Sequence, residues 1–363
     1  MEFRASGLAR VMQCPGFPFL DLPPEVAGFP AEEGTAAGEY LRHLLEHGIP
    51  PRQLHASNGV VFDRDMAFYI TPIAANIRSR AASPILCEQE VYWQAANDIF
   101  IRGHSDVTYI DHYGRLCVDD LKYGWGIVEV KRNWQLIAYA IGEMIRRGQQ
   151  FNEVVVRIIQ PRPHHHEGSY REWVISNTEL TNLYHEICQH MAGIAQGNRQ
   201  LMTGPSCKHC PAAAEACPAF NKAFWNGIET AHSLVQDTLN EEQLARQLAI
   251  VERASELIKI KKDSLESLAI NRIQEGKVIP GYSVEPKYGH RKWRKEFTAE
   301  TIKALTGFDV TETTLMSPAE AEKLGIPEEF MNAVTKRELI KTKLVPKDST
   351  VLADKLFGTE KPR

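Results

Sequence analysis

Residues 99–122 read IFIRGHSDVTYIDHYGRLCVDDLK, and this stretch decides the fold. Two runs rich in β-branched and aromatic residues, 99–110 and 115–121, flank the turn signal Asp111 to Gly114. A third run, 85–93 (ILCEQEVYW), precedes them across Asn97-Asp98, so the three predict an antiparallel meander. Downstream, 132–147 (RNWQLIAYAIGEMIRR) repeats apolar residues at three and four, the period of a helix. After it, 153–160 (EVVVRIIQ) is a continuous β-branched run suited to a central strand covered on both faces. Upstream, 36–47 (AAGEYLRHLLEH) sets Tyr40, Leu41, Leu44 and Leu45 at helical spacing after a Gly34-Thr35 start. A second helical stretch, Met66 to Ser79, contains Pro72, which predicts a bend or restart and a connector role. The order is helix, three strands, helix, strand.

Beyond Pro161 the loop PRPHHHEGS leads to a short strand at 171–175 and a helix at 178–196, then to a Gly/Pro/Cys-rich segment, 203–220. Residues 239–275 are a charged amphipathic stretch with Leu244, Leu248, Val251, Leu257, Ile260, Leu265 and Leu268 on the apolar side, expected to pack as a hairpin arm or on the core. Three parts are therefore expected: 1–220, a helical arm at 221–280, and a small mixed region at 281–363. The last opens on Lys287, Arg291, Lys292, Arg294 and Lys295 around Trp293, a mixture that suits a nucleic-acid strand and equally a solvated surface.

A chain of 363 residues, 43% hydrophobic, can bury a full core. Its net charge of −4 provides no global field for a polyanion, so nucleic acid would have to be met by local basic surface. Cys14, Pro15, Gly16 and Pro18 interrupt the N-terminus, and no export signal or membrane span is legible. A cytoplasmic location follows as an expectation, and there the seven cysteines are poor candidates for structural disulfides.

The chemistry gathers on the meander. Strand alternation puts Asp120 and Lys122 on one face, and Asp106 stands on the neighbouring strand just after Gly103. Carboxylates from adjacent strands are the oxygen ligands that Mg²⁺ or Mn²⁺ takes in phosphodiester hydrolysis. Asp106 and Asp120 are the expected ligands, with the Leu121 carbonyl as a third. Lys122 would position or deprotonate the water and offset developing charge. Alone, an Asp-x-Lys on a strand is also what an edge-strand ion pair looks like.

GHSD at 103–106, DLK at 120–122 and QLIAY at 135–139 come in the order of the Gly-x-x-Asp, (Asp/Glu)-x-Lys and Gln-x-x-x-Tyr elements of one family. Over roughly residues 4–220 the chain resembles the RecB-like branch of the PD-(D/E)XK nucleases. Looser similarity to phage exonuclease-like proteins runs through VDDLKYG, NWQLIAYA, IIQPRP and the IPGY segment at 279–282. The resemblance implies an α/β fold with an α-β-β-β-α-β core, a mixed central sheet flanked by helices and a helical C-terminal extension. It also implies a metal-dependent DNA exonuclease of recombination, repair or phage DNA processing, working beside a single-strand annealing protein or a helicase. No GxxxxGK[ST] motor signature occurs in the chain itself. By the same resemblance Gln135 and Tyr139 would line the DNA path and orient the lysine; the alternative is a solvated Gln135 and a core Tyr139.

One departure stands out. Where the family has a metal-binding His after the Gly-Thr of the first helix, this chain has Gly38. Glu39, or His43 and Glu46 at steps of four and three, would replace it, or the ligand is missing. In the latter case the protein would be an impaired, nuclease-derived DNA-binding or scaffold protein. Glu88 and Glu90 on the first meander strand fit a supporting acidic position, and His104 shares Asp106's face by alternation.

Cys207-x2-Cys210-x6-Cys217 sets three thiols close together, and Cys14 is the remaining cysteine in a comparable Pro-flanked loop. Four thiolates suit an iron–sulfur cluster or structural zinc. Relatives such as the AddB nuclease subunit carry one cysteine before the core and three after it, which implies a [4Fe–4S] cluster here, stapling the two ends of the core. Zinc, with His209 as a substitute ligand, and free thiols are the alternatives. The run His164-His165-His166 reads as a solvated or phosphate-touching loop beside Arg162, because consecutive residues do not easily converge on one ion.

Overall fold

The computed structural model describes residues 1–22, 29–232 and 239–283. The basic cluster around Trp293 and nearly all of the mixed region at 281–363 lie outside the described residues. The chain divides into two compact units, Met1–Leu268 with Ala353–Arg363, and Ala269–Leu352. The expected arm at 221–280 therefore splits, its first part falling in the same unit as 1–220. The reason is packing: Leu257 and Ile260 bury against Cys207, Cys217 and Phe220, and Lys261 donates to the Ala213 carbonyl (3.3 Å) and to Asn221 Oδ1 (2.7 Å).

In the first unit, chain order runs β1 (Glu2–Arg4), α1 (Leu8–Gln13), α2 (Phe29–His47), α3 (Arg64–Arg80), β2 (Leu86–Ala96), β3 (Ile99–Ile110), β4 (Leu116–Leu121), α4 (Trp134–Arg147), β5 (Glu153–Ile159), β6 (Tyr170–Ser176), α5 (Asn177–Ala195), α6 (Pro218–His232) and the start of α7 (Glu241–Gln274). The six strands form one mixed sheet in the order β1-β3-β4-β5-β6, with β2 also on β3. The β2–β3–β4 meander is antiparallel, as the turn signals require, and β5 joins β4 in parallel across the α4 crossover.

Alternation sorts the sheet residues to two faces. Leu116, Val118, Val154, Val156 and Ile158 bury with Leu136, Ile137 and Ile141 of α4 and Leu180 and Ile187 of α5. Cys117, Val155 and Ile159 bury on the other face with Leu41 and Leu44 of α2 and Ile70, Ile73 and Ile77 of α3. Both faces of β5 are covered, which explains its unbroken apolar run. Its one buried charge, Arg157, is balanced by Asp119, with Asn76 Oδ1 accepting at 2.9 Å and Tyr109 Oη at 3.3 Å.

Three expectations change. The α2 helix starts at Phe29, ahead of Gly34-Thr35. Pro72 does not restart α3, which runs unbroken from Arg64 to Arg80; it and Phe68, whose carbonyl it leaves unpaired, lie on the exposed side where water can serve that carbonyl. Nor is α3 a connector: Met66, Ile70, Ile73, Ala74 and Ile77 are buried, each large side chain contributing about 2 kcal/mol, and Asp63 caps its start by accepting from Met66 N at 2.7 Å. Finally, the N-terminus contributes β1, parallel to β3 at Glu2↔Phe100 to Arg4↔Arg102.

That addition shapes the site. On the edge of β3 away from β2, β1 takes residues 100–102 and β4 takes 107–110. Gly103 to Asp106 lies in the gap between them.

Candidate active site

The side chain of Asp106 fills the gap. Its Oδ2 accepts from Leu121 N at 2.8 Å, in place of the ladder bond that β3 would have supplied. Here β3 also slips its alternation. Ser105 Oγ still faces α4, 3.3 Å from Glu143, whereas Val107 and Tyr109 bury on the opposite face. On β2 the matching irregularity is Glu88, whose φ of 50° lies in the left-handed region; Val91 and Trp93 bury toward α4 but Cys87 packs on the other side. Strict alternation therefore fails for the two pairs that relied on it. Glu88 lines the cleft described below, and Glu90 and His104 are exposed and outside its lining.

Asp120 and Lys122 share a face as expected. Lys122 Nζ lies 2.8 Å from Asp120 Oδ2 and donates to Gln135 Oε1 at 3.0 Å. Gln135 Nε2 in turn donates to Asp120 Oδ1 and to Tyr139 Oη, both at 3.0 Å. One carboxamide thus fixes the carboxylate, the ammonium and the phenol. Asn133 sets its position by capping α4, accepting from Gln135 N at 3.1 Å and Leu136 N at 3.3 Å. Tyr139 does not line the cleft. It is buried behind Gln135, with its ring over Gly103, where an added Cβ would stand 2.8 Å from Tyr139 Cε1 and 3.2 Å from Ala5 Cβ. The Gly of GHSD and the Tyr of QLIAY are therefore one contact.

These groups form the floor of a cleft of about 900 Å³. Its walls are Gly34, Thr35, Gly38, Glu39 and Arg42 of α2 and the loop residues Gln53, His55, Ala56 and Ser57; its floor is Glu88, Asp106, Asp120, Leu121, Lys122 and Gln135. Of the first-helix candidates, Glu39 borders the cleft but its carboxylate is engaged by Ser57 N (2.9 Å) and the Ser57 hydroxyl. His43 and Glu46 are not among the lining groups: His43 packs on His47 with ring centroids 4.5 Å apart, and Glu46 is exposed beside His47. A Cβ at Gly38 would meet no atom within 4 Å. Sequence reasoning missed Arg42, an arginine on the polar side of the first helix, and the 53–57 loop, because the segment between the helices has no periodicity.

The electrostatics are those of a crowded acidic site. Burial, with the Asp120 carboxylate next, pushes Asp106 well above the usual carboxylate range, and burial also raises Glu88. Burial pulls Lys122 down, but Asp120 and Asp106 outweigh it and the net shift is upward. Lys122 is thus held as an ammonium, which suits charge neutralisation and orientation of water and does not suit proton removal. Asp120 Oδ2 is buried, and its partner is the Lys122 ammonium. Asp106 and Asp120, with the Leu121 backbone beside them, are oxygen donors of the kind a hard divalent cation takes, and Glu88 lines the same cleft without closing with them into a group of three within 4.8 Å.

The family described as a protein of unknown function, DUF2800, matches residues 2–353. The chain belongs to the DUF2800 family. No curated protein matches it. Among solved structures, one described as the crystal structure of SSO0001 is similar over 54% of this chain and 89% of its own, at 14% identity and a TM-score of 0.28, too slight a likeness to bear on the fold. Among the described residues of this DUF2800 protein, no helix is long and apolar enough to cross a membrane.

The four singled-out cysteines come together. Cys207 feels the charge of both Cys14 and Cys217, and Cys210 that of Cys207 and Cys217. Each sulfur also accepts a backbone N–H: Met202 N to Cys14, Gly204 N to Cys207 and Phe220 N to Cys217, all at 3.4 Å, and Ala212 N to Cys210. Such donors favour thiolates, but at Cys210 burial outweighs the Ala212 N–H and the Arg10 charge and leaves the thiol pushed up to about 11. No three of these sulfurs lie mutually within 4.8 Å.

One dismissed run does converge. Ligand atoms of His165, His166 and Glu167 lie within 4.8 Å of one another, while His164 is outside the group. Yet Glu167 N donates to His165 Nδ1 at 3.1 Å, which leaves the ring proton on Nε2, 4.0 Å from Glu129 Oε1. In that tautomer His165 has no ring lone pair to offer a metal.

Proposed function

We propose that this DUF2800 protein is a metal-dependent DNA exonuclease of the RecB-like PD-(D/E)XK type, acting in recombination, repair or phage DNA processing. The observation that carries the reading is the meeting of Asp106, Asp120 and Lys122 on the cleft floor, where Gln135 ties Asp120 to Lys122 and the Leu121 N–H holds Asp106 beside them. Asp106 and Asp120 would hold Mg²⁺ or Mn²⁺, with the Leu121 carbonyl as a third oxygen. Bound there, the ion supplies Lewis acidity toward the phosphoryl oxygen and lowers the pKa of its water. Lys122 offsets the charge that grows on the phosphate, and Gln135 keeps Lys122 and Asp120 aligned while Tyr139 supports Gln135 from behind. His43 and Glu46, outside the cleft, have no part in this arrangement.

The cysteine group supports a [4Fe–4S] cluster held by Cys14, Cys207, Cys210 and Cys217. Tetrahedral zinc, with Zn–S near ~2.3 Å, draws its sulfurs to about 3.8 Å apart. No three of these sulfurs stand that close together, and a cluster held by all four would close the chain from residue 14 to 217. A single-strand annealing protein or a helicase is the partner expected beside DNA.

A second reading, a catalytically impaired DNA-binding scaffold, is favoured by Gly38, which offers no ligand over the cleft. Linear DNA incubated with the purified protein and Mn²⁺, beside Asp120→Ala, separates the two. Degradation by the wild type alone supports the nuclease; equal inertness of both proteins supports the scaffold.

A further inference from the structure

Directly after Lys122 the chain leaves β4 as Tyr123-Gly124-Trp125-Gly126-Ile127-Val128, and the Trp125 side chain is 67% exposed. An exposed indole on a loose loop would mean little, but this loop is clamped from beneath. Gln160, fully buried, donates to the Gly124 carbonyl at 3.0 Å and to the Gly126 carbonyl at 2.7 Å, on either side of Trp125. Its Oε1 accepts from Val128 N at 3.2 Å and from Arg171 at 2.7 Å, and Arg171, also buried, donates to the Val128 carbonyl at 2.8 Å. A buried Gln–Arg pair is costly to desolvate, and here its polar atoms hold the backbone around one solvent-facing aromatic.

A cation sits beside that ring. The Arg162 guanidinium carbon lies 5.7 Å from the Trp125 centroid and 3.7 Å from that of Tyr123. Arg162 is fixed by Glu33, at 2.9 and 3.2 Å, and Glu33 adjoins the cleft residues Gly34 and Thr35. The loop is therefore tied at one end to Lys122 on the cleft floor and, through Arg162, to the helix that walls the cleft, next to the lining residues and not among them. Three residues span at most about 11 Å, so Trp125 lies within about three nucleotides of Lys122.

We infer that Trp125 is a platform on which an unpaired base of the substrate strand stacks, so that DNA enters this cleft single-stranded. The inference rests on the nuclease reading and deepens it. A duplex keeps its base faces stacked on one another, and only an unpaired base can lie flat on a protein ring.

The test compares wild type, Trp125→Ala and Trp125→Phe by fluorescence anisotropy in EDTA, with labelled oligothymidylate, an abasic strand of equal length, and a blunt duplex. The wild type should prefer oligothymidylate to the abasic strand. Trp125→Ala should bind oligothymidylate about tenfold more weakly while leaving abasic binding unchanged, and Trp125→Phe should restore most of the loss. With Mn²⁺, Trp125→Ala should raise KM and spare kcat. Equal binding of oligothymidylate by wild type and Trp125→Ala, from a protein that still degrades DNA, overturns the inference alone. A wild type that neither binds nor degrades any of the three removes the nuclease reading and the inference with it. Matching thermal melts of the three proteins exclude misfolding as the cause.

Discussion

Gly38, on the cleft wall, and Gly103, beneath the Tyr139 ring, should respond oppositely to alanine. At Gly103 the new methyl would stand 2.8 Å from Tyr139 Cε1 and 3.2 Å from Ala5 Cβ, far inside the roughly 3.5–4.0 Å at which carbons attract. Neither neighbour yields freely, since Tyr139 is buried and bonded to Gln135 and Ala5 is fully buried. Overpacking of this kind costs about 1–3 kcal/mol. Gly38 is inside α2 with open space at its Cβ, so Gly38→Ala should stabilise by roughly 0.5–1 kcal/mol through helix propensity. Urea denaturation read by circular dichroism measures both. Displacing Tyr139 also moves Gln135, so Gly103→Ala should weaken Mn²⁺ binding in titration calorimetry. Trimming the ring in Gly103→Ala/Tyr139→Leu should recover part of the loss, with a coupling of about 0.5–3 kcal/mol. If Gly103→Ala keeps both its urea midpoint and its Mn²⁺ affinity, the packing of GHSD against QLIAY described above is wrong.

Arg157→Met, which strands the buried Asp119, should destabilise by about 3–5 kcal/mol, while Asp119→Leu/Arg157→Met should be near neutral or better in the same urea assay. Asp106, raised by burial, keeps its proton in the folded chain at pH values where the unfolded chain, with an Asp near ~3.9, has lost it. Its contribution to metal-free stability is therefore full below about 3.9 and is lost as pH rises through the folded value; urea midpoints across pH should show this fall, and Asp106→Asn should flatten it. Gly38→His should tighten Mn²⁺ binding about tenfold or more if an imidazole over the cleft completes the site, read by calorimetry. Cys14→Ala should lose the visible absorbance and iron of an anaerobically purified wild type; a colourless, zinc-containing wild type would refute the cluster.

Much of the site could be read from the chain. GHSD, DLK and QLIAY name the three elements that meet, and the i, i+2 rule placed Asp120 with Lys122. The rest depended on what each element packs against. Tyr139 reads equally as path or core, and Gly103 beneath its ring makes it core. His43 and Glu46 have the spacing of a ligand pair, but α2 turns Gly38, Glu39 and Arg42 to the cleft instead. His104 and Glu90 were assigned by strict alternation, which the slip at Ser105 and the left-handed Glu88 break.

Periodicity and turn chemistry by themselves determined the meander, the α4 crossover and the covered strand β5, because these are local properties of how side chains repeat along the backbone. Only the tertiary structure decided that β1 and β4 share one edge of β3 and leave Asp106 in the gap, that α3 is a core helix, and that Cys14 reaches Cys207. Local sequence sets which way a residue faces. The partner it meets there is set by chain segments far away in sequence, whose docking no short-range pattern encodes.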